Sequence, residues 1–243
     1  MKKNSTKEDP FMSYDVIILG GGPAGMSAAL NVRARGRSAL VVSNPLQENP
    51  LWQAEKVDNH LGMPAQSGAE MLTNLRRHAE SSGAVFREGR VVSAMALEDT
   101  WYVSIGTEME TARALVLASG VQRGRKFPGE AEFLSSIGCS VTYFEKPRTC
   151  VIEGGSQVER VTVNGETVEC ACVFLLRPAM APTDLFPGLE VEGSFVKVDR
   201  KMATNLPGLF AAGDCTGGPL QVSKAIGEGL IAGQSAAIYI SKK

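Results

Sequence analysis

The stretch Tyr14-Asp15-Val16-Ile17-Ile18-Leu19-Gly20-Gly21-Gly22-Pro23-Ala24-Gly25 decides how the rest of the chain is read. Its first part is apolar and β-rich, its glycines end the strand, and Met26 to Arg35 continues with helix-forming residues and no further proline. Ser38 to Val42 (SALVV) supplies a second buried strand and closes a βαβ unit of about 30 residues, which makes the two strands parallel neighbours. In that context the spacing Gly20-x-Gly22-x-x-Gly25 has physical content. The first glycine permits the turn, the second lets backbone approach a pyrophosphate, and the third permits tight packing of the helix. Pro23 and Ala24 lie where the helix N-terminus offers unpaired N–H groups and partial positive charge to phosphates. The reading is dinucleotide binding, set against a plain glycine turn between packed elements. At the end of the second strand, where a carboxylate often receives ribose hydroxyls, stand Ser43 and Asn44; the neutral bond lost or weakened there is worth only about 1 kcal/mol. The motif alone does not separate NAD from FAD, since both present an ADP half to it.

Working outward, Asn44 to Gly68 is a long segment with prolines at 45, 50 and 64, followed by the amphipathic pattern Met71, Leu72, Leu75, His78 of a helix. Ala84 to Ile105 reads as short strands (AVF, RVVSAMAL, WYVSI), and Ala114 to Ala118 as a buried strand leading into Ser119-Gly120. From Arg123 to Gly129 the chain turns basic and loop-like, as at a domain boundary. Val158 to Val163, Asn164-Gly165 and Glu166 to Leu176 read as a hairpin, because Asn-Gly tolerates the positive φ angles of a type I′ turn. Phe195 to Val198 and Leu209 to Ala212 are further strands, and Gln221 to Ile240 is a terminal helix with small residues at Ala225, Gly227, Gly229, Ala232 and Gly233. So many glycines inside a helix cost stability, which points to close approach of something to that helix.

The balance of 25 basic against 26 acidic residues, without a long run of one sign, gives no support for a nucleic-acid groove. Residues 1–13 read as a flexible polar segment lacking the apolar core of a secretory signal, and later apolar stretches are broken before the roughly 18 to 20 residues that span a bilayer. The expectation is a soluble, cytoplasmic protein. Its five cysteines, Cys139, Cys150, Cys170, Cys172 and Cys215, are odd in number and irregularly spaced, so reduced thiols are the default and no metal site is expected.

Leu209-Phe210-Ala211-Ala212-Gly213-Asp214-Cys215 is a buried strand ending in Gly-Asp before the terminal helix. Together with Gly20 to Gly25, Val57-Asp58-Asn59-His60-Leu61-Gly62 and Leu117-Ala118-Ser119-Gly120, it resembles the FAD domain of the thioredoxin reductase family of flavoproteins over roughly residues 14–130 and 172–241. The resemblance implies FAD as cofactor and an α/β fold, a Rossmann-like three-layer domain with a parallel central sheet and an additional antiparallel β sheet. It implies that Asp214 accepts a hydrogen bond from the flavin's ribitol, that Asn59 lies in the FAD-binding segment, and that backbone near Val91 or Val92 meets adenine. Gln221 and Val222 are then expected to face the pyrimidine edge of the isoalloxazine, where a helix N-terminus favours the negative charge of reduced flavin. A homodimer made through the FAD domain is also implied.

The chain departs from the family pattern in its middle. Family members insert a second nucleotide-binding domain holding NADPH and a Cys-x-x-Cys pair, whereas only residues 130–179 stand between the two FAD-domain parts, 14–129 and 180–243. Gly154-Gly155 has no third glycine at the required spacing, and after Phe127 to Phe133 the text Gly138-Cys139-Ser140-Val141-Thr142-Tyr143 brings one cysteine where a pair is expected. A short remnant in place of the NADPH domain is the reading, with electrons arriving from an external donor such as ferredoxin, flavodoxin or a dithiol. Cys215, before the terminal helix, and Cys139 are the weak catalytic candidates. Burial as a small hydrophobe is the competing reading for Cys215, and Cys170 and Cys172 are expected on one face of a strand. The leading function is an FAD-dependent oxidoreductase passing electrons between that donor and a disulfide or other acceptor. An oxidase handing electrons to oxygen, and a non-catalytic FAD-binding sensor or partner protein, are the alternatives.

Overall fold

A computed structural model describes residues 13–63, 65–121, 135–136, 138–144, 149–173 and 181–242. The expected flexible segment falls outside these residues except for Ser13, as do Phe127 to Phe133 and the end of the expected strand at 174–176. The chain divides into two compact units, residues 1–121 with 180–243, and residues 122–179.

In the first unit, β1 (Tyr14–Leu19) runs through the glycine turn into α1 (Pro23–Ala34) and returns as β2 (Ala39–Ser43). Then come two 3-10 turns (Leu46–Glu48, Pro50–Gln53), α2 (Gly68–Ser81), β3 (Val85–Glu88), β4 (Val91–Leu97), β5 (Thr100–Ile105) and β6 (Glu108–Leu117). Helix α2 starts on a capping box, Ser67 Oγ accepting from the Glu70 N–H at 3.2 Å while Glu70 accepts from the Ser67 N–H at 2.9 Å.

Strands β1, β2 and β3 pair in parallel, and β1 pairs in parallel with the last residues of β6. The first half of β6 pairs antiparallel with β5, and β5 with β4, so a meander grows out of the same long strand. The sequence reading had only Ala114 to Ala118 of β6. Its earlier part, Glu108 to Arg113, is polar because it forms the partly exposed end of the meander.

The second half of the sequence closes this sheet. Strand β12 (Leu209–Ala211) adds in parallel to β6, Leu209 opposite Leu115 and Ala211 opposite Leu117, ahead of the terminal helix α3 (Val222–Ser241). Because side chains alternate along a strand, both faces of the sheet are apolar. Val16, Ile18, Val41, Val116 and Phe210 pack on one face with Ala28, Val32, Ala232 and Ala236 of α1 and α3. Ile17, Leu40, Leu115, Leu117 and Leu209 pack on the other with Trp101, Val103 and Ile105 of the meander and with Phe186. The order is helices, parallel sheet, antiparallel meander: the expected three-layer α/β fold.

The second unit holds β7 (Cys150–Gly154), β8 (Val158–Val163) and β9 (Glu166–Glu169), an antiparallel sheet in that spatial order. Asn164 (φ 52°) and Gly165 (φ 90°) make the expected hairpin turn. Strand β9 ends at Glu169, so Cys170 and Cys172 lie beyond it and do not share a strand face. A two-stranded ribbon, β10 (Val191–Glu192) with β11 (Phe195–Val196), belongs to the first unit and ends short of the expected Val198.

Candidate functional site

The C-terminal ends of β1, β2, β6 and β12 lie along one edge of the parallel sheet, where such folds take their ligands. Gly20, at φ 122°, makes the turn out of β1, and a Cβ there would stand 2.2 Å from the Ala118 carbonyl oxygen. A Cβ on Gly25 would fall 1.9 Å from the Gly20 oxygen, so α1 starts hard against the turn. Gly22 is the helix N-cap with Pro23 following, and the nearest atom to a Cβ there is Asn49 Nδ2 at 3.2 Å, which leaves that face open. Gly21 is as constrained as its neighbours, with Ser43 Oγ 2.6 Å from its Cβ position. Ser43 is buried against this turn.

Asn49 is a residue that sequence reasoning missed. Its Oδ1 accepts from the Leu51 N–H at 3.0 Å, which fixes the amide and turns Nδ2 toward Gly22. The only signal was its place before Pro50 in a proline-punctuated loop.

Ala118, Ser119 and Gly120 leave β6 beside Gly20, with the Ala118 N–H on the Leu19 oxygen at 2.8 Å and Gly120 at φ 66°. Gly213, at φ 86°, follows β12, and its Cβ position lies 2.8 Å from Ala24 Cβ, so the two turns of this edge touch. Asp214 opens a 3-10 turn, Asp214–Thr216, and its Oδ1 is buried with no hydrogen-bond partner. Burial pushes this carboxyl up, with the Lys224 ammonium lowering it and Glu228 raising it.

At the far end of the edge, Asn59 Nδ2 donates to Gln221 Oε1, and His60 Nδ1 lies 3.0 Å from Ser223 Oγ. These pairs bring the segment 57–60 onto the start of α3, where Gln221 is an N-cap that offers no side-chain cap to the helix N–H groups. A cleft of ≈ 350 Å³ lies there, lined by Leu51, Lys56, Val57, Asp58, Asn59, Leu220, Gln221 and Val222. Val92, expected from the resemblance near adenine rather than in this cleft, lines a separate cavity of ≈ 830 Å³ with Trp101 and Phe186. Near the adenine end expected from the resemblance, it is Gly89 that meets β2, its N–H on the Ser43 oxygen at 3.0 Å.

Comparison with known proteins agrees with this geometry. The family model for the FAD binding domain matches residues 15–48, and that for pyridine nucleotide-disulphide oxidoreductase matches residues 138–229. The thioredoxin reductase of Aquifex aeolicus is 34% identical over 156 residues, 61% of this chain but 48% of that protein. That of Treponema pallidum is 26% identical, with 93% of this chain and 97% of that protein covered. Among solved structures, a ferredoxin-flavin thioredoxin reductase from Clostridium acetobutylicum superposes with TM-score 0.73 at 26% identity, covering 94% of this chain and 98% of that one. An atypical thioredoxin reductase from Desulfovibrio vulgaris Hildenborough gives 0.71 at 25%, covering 95% and 99%.

The chain is thioredoxin reductase-like, similar to the pyridine nucleotide-disulphide oxidoreductases. FAD is its cofactor. The residues present fit that group: a glycine turn with one open face for the pyrophosphate, a helix N-terminus behind it, and an orphaned carboxylate oxygen at Asp214 suited to a hydroxyl donor.

The thiols of this thioredoxin reductase-like chain are all free. Cys215 is 4% exposed, its Sγ 3.3 Å from the Ala212 oxygen, and burial pushes the thiol up to about 11. It is therefore a protonated, packed thiol at neutral pH. Cys139, Cys150 and Cys172 are exposed in the second unit. Among the described residues no group of histidine, cysteine and carboxylate side chains has metal-binding geometry, and no helix is long and apolar enough to cross a membrane.

Proposed function

We propose that this chain is an FAD-dependent oxidoreductase that takes electrons from an external donor and passes them to a disulfide or other acceptor, with no nucleotide domain of its own for NADPH. The observation that carries the proposal is the contrast between the two units. The first has one strand-turn-helix dinucleotide site, while the described part of the second is a three-stranded antiparallel sheet. Likeness to a protein named as a ferredoxin-flavin thioredoxin reductase supports a protein donor.

FAD, when bound, supplies the two-electron redox chemistry. The chain's own residues hold and orient it. Gly20, Gly22, Pro23, Ala24 and Gly25 receive the pyrophosphate, Ser43 and Asn49 flank the adenosine side, and Ala118 to Gly120 and Gly213 border the middle. Asp214 takes the ribitol hydroxyl through its unpaired Oδ1. Gln221 and Val222 present uncapped helix N–H groups to the pyrimidine edge, which favours negative charge there. Asn59, held on Gln221, fixes the wall opposite.

Anaerobic titration of the purified protein, following the flavin spectrum, tests the reading. Reduced ferredoxin, flavodoxin or a dithiol bleaches the flavin, and NADPH does not. Rapid bleaching by NADPH alone overturns it. A cytoplasmic homodimer is part of the same proposal by family analogy, checked by light scattering on the eluted protein.

A further inference from the structure

We propose that Lys224 and Glu228 form a positioning pair for the flavin end of the FAD site, holding the turn that carries Asp214 and setting the local field at the start of α3. The inference rests on the placement of the flavin end at Asp214 given above. Lys224 Nζ and Glu228 Oε2 are 3.1 Å apart, one helical turn from each other, and only 16% and 19% exposed. Neither spends itself on the other alone. Lys224 Nζ also donates to the Gly213 oxygen at 2.8 Å, the Gly217 oxygen at 2.6 Å and Thr216 Oγ1 at 3.1 Å. Glu228 Oε2 accepts from the Gly213 N–H and from Thr216 Oγ1, both at 2.8 Å.

The turn so held needs holding. It runs between two positive-φ glycines, Gly213 at 86° and Gly217 at 120°, and between them stands a buried carboxylate oxygen with no partner of its own. Leaving such a group unpaired costs free energy, so the turn would relax toward solvent unless something pinned both its ends. Lys224 grips the carbonyls at both ends, and its charge favours an ionised Asp214 against desolvation. A plain surface i, i+4 pair would do neither, because it would be solvated and would touch no loop backbone.

The test uses the full-length protein and four variants: Lys224→Met, Glu228→Gln, Asp214→Asn and the Lys224→Met, Asp214→Asn double. FAD affinity is read from fluorescence quenching on adding apoprotein, and the flavin midpoint potential from spectroelectrochemistry. Lys224→Met weakens FAD binding about tenfold or more, and in the Asp214→Asn background it adds little, because it acts through the carboxylate. The potential falls in Lys224→Met, which leaves an uncompensated anion, and rises in Glu228→Gln, which leaves an uncompensated cation and keeps an oxygen acceptor for the Gly213 N–H. A purely structural staple would shift both variants the same way. Shifts of the same sign, or fully additive losses of affinity, overturn the pair's role. Unchanged FAD affinity in Asp214→Asn overturns the placement at Asp214 and the pair's role with it. If Lys224→Met does not fold, an unchanged or lowered potential in Glu228→Gln is decisive against the proposal.

Discussion

Gly227 and Gly229 lie on the same helix two residues apart, and the structure assigns them opposite responses to the same substitution. Nothing stands within 4 Å of a Cβ at Gly227, which is exposed, so Gly227→Ala gains the intrinsic helix preference of alanine, about 1 kcal/mol. Gly229→Ala gains the same preference but puts its Cβ 2.1 Å from the Ala24 carbonyl oxygen, where ordinary contact begins at 3.4 Å. The obstacle is backbone and cannot swing aside. Helices α1 and α3 must part by about 1 Å, and a gap of that size forfeits a quarter to a half of each affected dispersion contact. Ala24, Ala28, Ala232 and Ala236 all pack there, and a Cβ on Gly233 would likewise fall 2.4 Å from the Ala28 oxygen, so the helices are in close approach over a further turn and a local pivot does not relieve the clash.

Overpacking of this kind costs about 1–3 kcal/mol and more against rigid backbone, so Gly229→Ala is expected to lose about 2–3 kcal/mol net. The two variants then differ by about 3–4 kcal/mol, which at an m value near 3 kcal/mol/M separates their urea midpoints by about 1 M. Urea unfolding of the apoproteins, followed by circular dichroism, measures this. A Gly229→Ala protein that unfolds at or above the Gly227→Ala midpoint refutes the reasoning. Since Ala24 is part of the turn proposed to hold the pyrophosphate, the same variant is also expected to weaken FAD binding while Gly227→Ala leaves it alone.

Asp214→Asn trades affinity for stability: FAD binding weakens by about tenfold as a charged acceptor is lost, while the apoprotein is stabilised at neutral pH, both measurable by titration and thermal melting. The sign follows from burial. The folded carboxyl is raised above its unfolded value of 3.8, so the folded state holds its proton longer and wild-type apoprotein loses stability as pH rises from about that value through the folded pKa, a slope absent in Asp214→Asn. For Cys215 the same logic places the loss at alkaline pH, between 9.0 unfolded and about 11 folded, and Cys215→Ala flattens the stability profile there. With a thiol reagent at neutral pH, Cys139, Cys150 and Cys172 react in the native protein and Cys215 only after unfolding; native labelling of Cys215 would contradict its burial.

The strand, glycine turn and helix at Tyr14 to Ala34 were legible because backbone needs dictate them: Gly20, Gly21 and Gly25 each stand where a side chain would meet a neighbour. The glycines of the terminal helix were legible as a sign of close approach, and Gly229 and Gly233 meet α1. What lay hidden depends on tertiary partners. Glu108 to Arg113 reads as polar loop until β5 pairs with it. Lys224 and Glu228 drew no reading from the sequence, since their partners are the backbone and hydroxyl of the 213–217 turn. Cys170 and Cys172 read as strand residues because apolar text continues past Glu169, although the pairing with β8 stops there. Asn59 and Gln221, far apart in sequence, were each assigned to the cofactor site by resemblance alone, and it is the fold that joins them by a hydrogen bond.

The proposed FAD site is assembled from two separated stretches of the chain. Residues 115–117 of β6 pair in parallel with 209–211 of β12, and α1 packs against α3 through glycines on one side and alanine backbone on the other. Among the described residues, the contacts that position Gly20, Ala24, Ala118, Gly213 and Asp214 lie within residues 13–121 and 181–242. Joining the two stretches requires the closure of a loop, and each doubling of loop length costs only about 0.6 kcal/mol. A site held this way tolerates shortening of what lies between its halves. The parallel pairing of β12 with β6 is then what holds the two halves of the proposed cofactor site together.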